Sequence, residues 1–256
     1  MKEKIKYIMS RKYFHICMTI IIIAIILFVS GIMILKYQVE GETNMPFEVT
    51  KITLISSSDT VDKNQNAEIT NWAFDINQNN DIYIYIEKNK NYTEQEAIKN
   101  IKVENFNVQK NSEIGETKFY RPNIEETGAN FKNIDENAIQ DLVYEGAMES
   151  DIKNLKIGNQ GGIITFRYAN NKVAEYTADI STNSEITTNK LLKEVNINEE
   201  DLKSKLTFDL KLTTESGKEY TANIALDFPV AGVVENGTTS LEITDLKDIV
   251  FKRTKN

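Results

Sequence analysis

From Phe14 to Leu35 the chain reads FHICMTIIIIAIILFVSGIMIL, 22 residues without a charged side chain. As a helix rising ~1.5 Å per residue this run spans ~33 Å, enough to cross a hydrocarbon core of ~30 Å. Fourteen of its residues are Ile, Leu, Phe or Val. At about −0.3 to −0.6 kcal/mol each they favour insertion by about 4 to 8 kcal/mol in total. A cleaved signal peptide would have a shorter apolar region, of about 7 to 15 residues, ending at a small-x-small site. The one such site, Val29-Ser30-Gly31, lies inside the run, so a retained signal anchor is expected over 14–35.

Residues 36–45 (KYQVEGETNM) have no apolar period and read as a tether, ended by Pro46. Beyond it the period drops to two, which predicts strands. FEVTKITLIS (Phe47 to Ser56) is one such strand, and the polar SSDTVDKNQN after it predicts a loop. In NWAFDINQNNDIYIYIE a three-residue loop Gln78-Asn79-Asn80 would set Ile76 against Ile82, Phe74 against Ile84 and Trp72 against Ile86 on one face. Asn80 would then take the left-handed position that such loops require. This predicts a hairpin whose second strand, with Tyr83 and Tyr85 on its other face, is apolar on both sides and central in its sheet.

Thr93 and Glu96 have capping-box spacing before Ala97, Ile98 and Ile101, which predicts a short helix. VENFNV and TKFYR predict further strands, and the polar stretch Asn123 to Asn137 marks a module boundary. Segments 162–180 and 206–224 align without a gap at an offset of 44, sharing Glu-Tyr-Thr-Ala and then Ile, and both read as hairpins. A duplication would give such a fixed offset, and so would two physically similar hairpins. In the second, the loop Glu215-Ser216-Gly217 pairs Leu212 with Tyr220, Leu210 with Ala222, Phe208 with Ile224 and Leu206 with Leu226, and Gly217 supplies the positive φ. Between the two, TTNKLLKEVNINEEDLKSK predicts two short helical turns, with Asn198 capping Glu199 to Lys203. GVVENGTTS reads as loop, and LEITDLKDIVFKR as one or two closing strands.

Charge then orients the molecule. Lys2, Lys4, Lys6, Arg11 and Lys12 precede the apolar run against Glu3 alone, so the positive-inside rule places the head (1–13) in the cytoplasm. The net charge is −8; the first twelve residues carry +4, leaving −12 for the remainder. So acidic an outer region argues against nucleic-acid binding, which depends on neutralising phosphates. The single Cys and single His, Cys17 and His15, both lie in the apolar run. Beyond it there is no disulfide framework, thiolate nucleophile, imidazole base or Cys/His zinc site. Only carboxylate pairs or a Ser/Lys dyad remain for catalysis, and no spacing singles out any acid, so an enzyme and a cofactor are not expected.

Two acidic-amide runs have the alternating oxygens a hard cation wants: Asp62, Asn64, Asn66, Glu68 and Asp75, Asn77, Asn79, Asp81. Neither completes the EF-hand pattern, because Ala67 and Asn80 stand at its glycine and Ala73 and Ile86 at its bidentate acid. Turn chemistry accounts for them, and no metal is assigned. Tyr83 and Tyr85, two apart on one strand face, are the candidate contact residues for a partner protein or a glycan, against the plainer reading of a buried second face.

The basic head, the Ile-rich run and the strand NDIYIYIEKN resemble those of uncharacterised single-pass membrane proteins of low-G+C Gram-positive bacteria. The resemblance covers chiefly the first hundred residues and implies no activity and no functional residue. The expectation is therefore a mainly β protein: one N-terminal transmembrane helix, then one or two antiparallel β-sandwich-like modules (46–130 and 131–256) with a few short helices. The expected role is a cell-membrane protein with its C-terminal domain outside the cytoplasm, interacting with an envelope protein or with itself. A wall-glycan-binding module and a carboxylate-dependent hydrolase are the alternatives.

Overall fold

The computed structural model of the chain describes residues 2–39, 45–64, 71–123, 131–148, 154–181 and 185–254. One helix, α1 (Lys2–Val39), precedes a two-sheet β-sandwich. It holds an apolar span, His15–Met33, long and apolar enough to cross a membrane, and none of that span is buried against the rest of the chain. The helix is longer than the expected anchor at both ends. The basic head forms its first turns, and residues 36–39 of the expected tether form its last. Residues 40–44 of the tether lie outside the described residues.

The first sheet contains β1 (Phe47–Asp62), β2 (Asn71–Lys88), β4 (Glu116–Tyr120), β7 (Gly161–Asp179) and β10 (Thr238–Ile243), in the order β10-β1-β2-β7-β4. The second contains β3 (Ile98–Lys110), β5 (Leu142–Gly146), β6 (Leu155–Ile157), β8 (Ser204–Thr214), β9 (Glu219–Asp227) and β11 (Lys252–Thr254), in the order β11-β9-β8-β3-β5-β6. Pairing is antiparallel except between β5 and β6. Both sheets draw strands from either side of residue 130, so the stretches 46–130 and 131–256 build the same two sheets instead of separate modules. Residues 124–130, within the expected boundary, lie outside the described residues.

β2 departs most from the sequence reading. The expected turn at Gln78-Asn79-Asn80 is absent, and β2 runs straight through it. β1 pairs with β2 from Phe47↔Lys88 to Asp62↔Phe74, and β7 pairs with it from Glu87↔Gly161 to Asn71↔Asp179. A turn at 78–80 would break both ladders, and tertiary pairing of this extent overrides local turn preference. As far as Asp62 the expected polar loop after Ser56 is likewise strand, because Ser57, Ser58 and Asp59 pair with Asn79, Gln78 and Asn77.

Segment 162–180 is also a single strand and not a hairpin. The position matching Gly217 is Val173, and a β-branched residue resists positive φ. The chain instead makes a bulge there, with Lys172 at φ 58° and a register shift opposite Ile76 and Gln78. The offset match is therefore not a structural repeat. Its second copy folds as expected: Leu212↔Tyr220, Leu210↔Ala222, Phe208↔Ile224 and Leu206↔Leu226 pair across β8 and β9, with Gly217 at φ 81°.

The short helices α2 (Leu191–Glu194) and α3 (Glu199–Leu202) lie where expected, and Asn198 closes a capping box with Asp201. A further turn, α4 (Val233–Asn236), and the start of β10 occupy the expected loop GVVENGTTS. The helix expected from Thr93 and Glu96 does not form. Glu96 instead reaches the β8–β9 loop, where the Ser216 hydroxyl donates to it at 2.7 Å and the Lys218 ammonium lies 2.9 Å away.

Two apolar clusters make up the core, one between the sheets and one under the helical turns. The larger includes Ile82, Ile84, Phe166, Phe208 and Leu210, with Phe166 and Phe208 edge to face across the sandwich at 5.4 Å. The smaller joins Phe74, Ile76 and Val173 to Leu191, Leu192, Leu202 and Val233 of the helical turns. Polar residues lie between them: Ser56, Gln78, Asn80, Asn170 and Ser204 are all buried, with Ser56 opposite Asn80 and Gln78 opposite Asn170 in successive rows. Ser56 Oγ donates to Asn80 Oδ1 at 2.6 Å, and Gln78 Nε2 donates to the Leu202 carbonyl at 3.0 Å.

Beyond the end of β4, the edge of β7 is closed by one side chain. The Tyr144 hydroxyl donates to the Thr165 carbonyl at 2.8 Å and accepts from the Thr165 N–H at 3.0 Å. Burial pushes its pKa up to about 12. Tyr144→Phe removes both bonds and leaves two buried backbone groups unpaired, so a loss of about 1 to 3 kcal/mol is expected in urea unfolding of the full chain in detergent.

The Glu96 contact makes a pH signature. Its side chain is 4% exposed. Burial pushes its carboxyl up, but hydrogen bonds from Lys218 and Ser216 outweigh that and leave the pKa below the ordinary value. A carboxyl depressed on folding contributes stability that is full above its unfolded value, about 4.3, and is lost as pH falls through the folded value. The destabilisation caused by Lys218→Met should therefore be greatest near pH 7 and shrink below about pH 4.3, read from denaturation curves across that range.

Candidate functional site

Side chains alternate across a strand, so the outer face of the first sheet is set by β1, β2 and β7. Three cross-strand rows lie there: Lys51, Tyr85 and Ile163; Thr53, Tyr83 and Thr165; Ile55, Asp81 and Arg167. Tyr83 and Tyr85 are both half-buried, and Ile163 beside Tyr85 is 47% exposed. The tyrosines therefore stand on a partly open face, not inside the core. The Lys51 ammonium lies over the Tyr85 ring, 4.3 Å from its centre, and also pairs with Glu242 of β10 at 3.1 Å. Partial burial, helped by the Asp81 charge, raises the Tyr83 pKa, so its hydroxyl is a neutral hydrogen-bonding group at neutral pH.

The far end of the same face is covered. Arg167 forks onto Asp81, with Nε to Oδ1 at 2.6 Å and Nη2 to Oδ2 at 3.0 Å, and its Nη1 donates to Asn133 Oδ1 at 3.0 Å. Asn133 in turn donates to Asn79 at 2.8 Å and to Asn171 at 3.2 Å, and Asn171 donates to the Tyr120 hydroxyl at 2.8 Å. The Phe131 ring lies 4.8 Å from the guanidinium. This network pins the segment around Asn133 onto the sheet and leaves the tyrosine end uncovered by it. Sequence reasoning missed it, since Arg167 and Asp81 are 86 positions apart and only the strand register brings them together.

The same contacts account for the second acidic-amide run. Asp81 is held by Arg167, and Asp75 lies 3.3 Å from the Lys63 ammonium. Asn77 Oδ1 accepts from the Lys172 N–H at 2.7 Å, and Asn79 is bound to Asn133. These oxygens lie along one extended strand and do not converge. Of the first run, Asn66 and Glu68 lie outside the described residues. Among the described residues no three of His, Cys, Asp and Glu are grouped as metal ligands.

Paired acids for hydrolysis have a weak counterpart. Asp209 and Asp248 line a cavity of about 400 Å³ together with Thr221 and Lys252. Asp209 already accepts from Asn105 at 2.8 Å and from Asn223 at 2.9 Å, a structural use of its oxygens.

The fold and this face define a class: an antiparallel β-sandwich behind an apolar N-terminal helix, with a tyrosine-bearing sheet face as its most developed surface. No family model matches the chain, and no curated protein or solved structure matches it either.

Because both tyrosines are only half-buried, replacing Tyr83 and Tyr85 together by Ser should leave a folded protein, weakened by about 1 to 2 kcal/mol. Circular dichroism with thermal melting checks this; loss of the fold would return both residues to the core.

Proposed function

We propose that the chain is a membrane-anchored interaction protein of a bacterial envelope. In this reading α1 is a signal anchor, with Lys2, Lys4, Lys6, Arg11 and Lys12 on the cytoplasmic side, and the sandwich stands outside the cytoplasm. There it binds another envelope protein or a second copy of itself through the tyrosine face. The observation that carries this reading is the open row Lys51, Tyr85 and Ile163, continued by Tyr83, on a rigid sheet beside a network that covers the rest of the face. Aromatic and aliphatic groups on a preformed surface, with Lys51 and Glu242 at the rim, have the make-up of a protein-binding patch.

A wall-glycan platform uses the same tyrosines but has less support. Sugar rings stack on aromatic faces, and one face of Tyr85 already holds the Lys51 ammonium. A carboxylate-dependent hydrolase has less again, because the acids Asp209 and Asp248 that share a cavity include a structurally engaged Asp209.

A photocrosslinking residue at position 163, in the full chain in native membranes, should yield a discrete heavier species that disappears when Tyr83→Ser and Tyr85→Ser are added. Recovery of the chain only as an uncrosslinked monomer would count against the reading. Co-sedimentation with purified peptidoglycan, abolished by the same two substitutions, would transfer the site to the glycan alternative.

A further inference from the structure

The two sheets end on β10 and β11 at one side of the sandwich, and residues 244–251 cross between these edge strands. Beside the crossing lies a cavity of about 500 Å³. Met45, Phe47 and Val49 line it from the start of the sandwich, and Leu246, Ile249 and Val250 from the crossing. Met45 and Phe47 are buried in the core, Val49, Leu246 and Ile249 are partly buried against it, and Val250 is 48% exposed. The walls are tied in place: the Asn89 N–H donates to the Pro46 carbonyl at 2.9 Å, and the Ile249 N–H closes a turn onto the Leu246 carbonyl at 3.0 Å. A preformed cavity of this size, apolar within and polar at its rim, has the form of a small-molecule site.

Its position limits what can reach it. Only residues 40–44 separate Val39, the last of α1, from Met45 in the cavity wall, a reach of at most about 20 Å. Met33, where the apolar span ends, is ~9 Å earlier along the helix. α1 also meets β11, the strand that continues the crossing, and because His15–Met33 is unburied that meeting falls outside the span. The cavity is thus at the end of the sandwich nearest the anchor. Its rim has no excess of positive charge: Glu48, Asp245 and Lys247 are exposed, and Asp245 and Lys247 pair at 3.3 Å. An anionic group would gain nothing there. An acyl chain, by contrast, gives up little by leaving a bilayer for aliphatic walls, and the walls gain by losing water.

We infer that this cavity takes an acyl chain of a membrane lipid, drawn from the leaflet that the sandwich faces. Leu246, Ile249 and Val250 line the chain on one side and Met45, Phe47 and Val49 on the other. A chain held there fixes the sandwich to the bilayer at a second point besides α1. The inference rests on α1 spanning the membrane, as the proposed function does, and not on the tyrosine face.

The test is photolabelling of the full chain, reconstituted in phosphatidylcholine vesicles that contain a phosphatidylcholine with a diazirine in its acyl chain, with the adducts mapped by mass spectrometry. Adducts are expected on α1 and, as a separate set, on residues 244–251. Val250→Asp should lower the second set about tenfold, by placing a charge against the chain, and leave the first unchanged. Val143→Asp, at an exposed position of β5 away from the β10 and β11 edges, should change neither. Adducts on α1 alone, or adducts on 244–251 indifferent to Val250→Asp, overturn the inference and leave the anchor standing. Absence of both sets overturns the anchor as well. A photocrosslinking residue at position 250 that captures protein and no lipid in native membranes gives the cavity to an apolar segment of a partner, and also overturns the inference.

Discussion

The structure depends on the long pairing of β2 with β1 on one side and, past one bulge, with β7 on the other. A strand in the middle of a sheet must have its backbone N–H and C=O groups paired along its length, because each one buried without a partner is costly. Once Ile82, Ile84 and Ile86 are fixed by the apolar core, the ladder can be extended through residues 77–80 or broken there. Extension keeps two long rows of backbone bonds, and the polar side chains of that stretch then have to be accommodated on both faces of the sheet.

Both accommodations have consequences. Inward, Gln78 and Asn80 meet Ser56, Asn170 and Ser204 and divide the interior into two apolar clusters, one between the sheets and one under the helical turns. Outward, Asn79 and Asp81 join Asn133 and Arg167 and hold a crossing segment against the sheet. That segment shields one end of the outer face and leaves Tyr83 and Tyr85 at the other. The open face and the polar layer thus trace back to one strand that does not turn.

Features carried by local chemistry were legible in the sequence. The apolar run, the β8–β9 hairpin with its glycine, and the Asn198 cap each follow from a few adjacent residues, and their register or extent is close to what the pattern implies. The mainly β class and the sandwich follow from period-two segments throughout the chain after α1. What escaped was decided at long range. Asn-rich residues 77–80 look like a turn until both neighbouring strands are known, and Thr93 to Glu96 look like a helix cap until Lys218 takes the carboxylate. The second apparent hairpin fails because Val173 stands where its partner has Gly217, a difference visible in the alignment itself. Of the site, Tyr83 and Tyr85 were legible as a pair on one strand face. Arg167 and Lys51 were not, since their partners come from register.

The chain joins the sandwich at Phe47, the first residue of β1, with Met45 and Phe47 both buried. Any tension between α1 and the sandwich therefore enters at the first residue of β1. Such a pull loads the bonds of a 16-residue strand together, in shear, instead of opening them one after another from a free end. Mechanical resistance then sits at the junction itself. Phe47 is wedged into the core at the point of attachment, so a pull on that end meets the apolar core first.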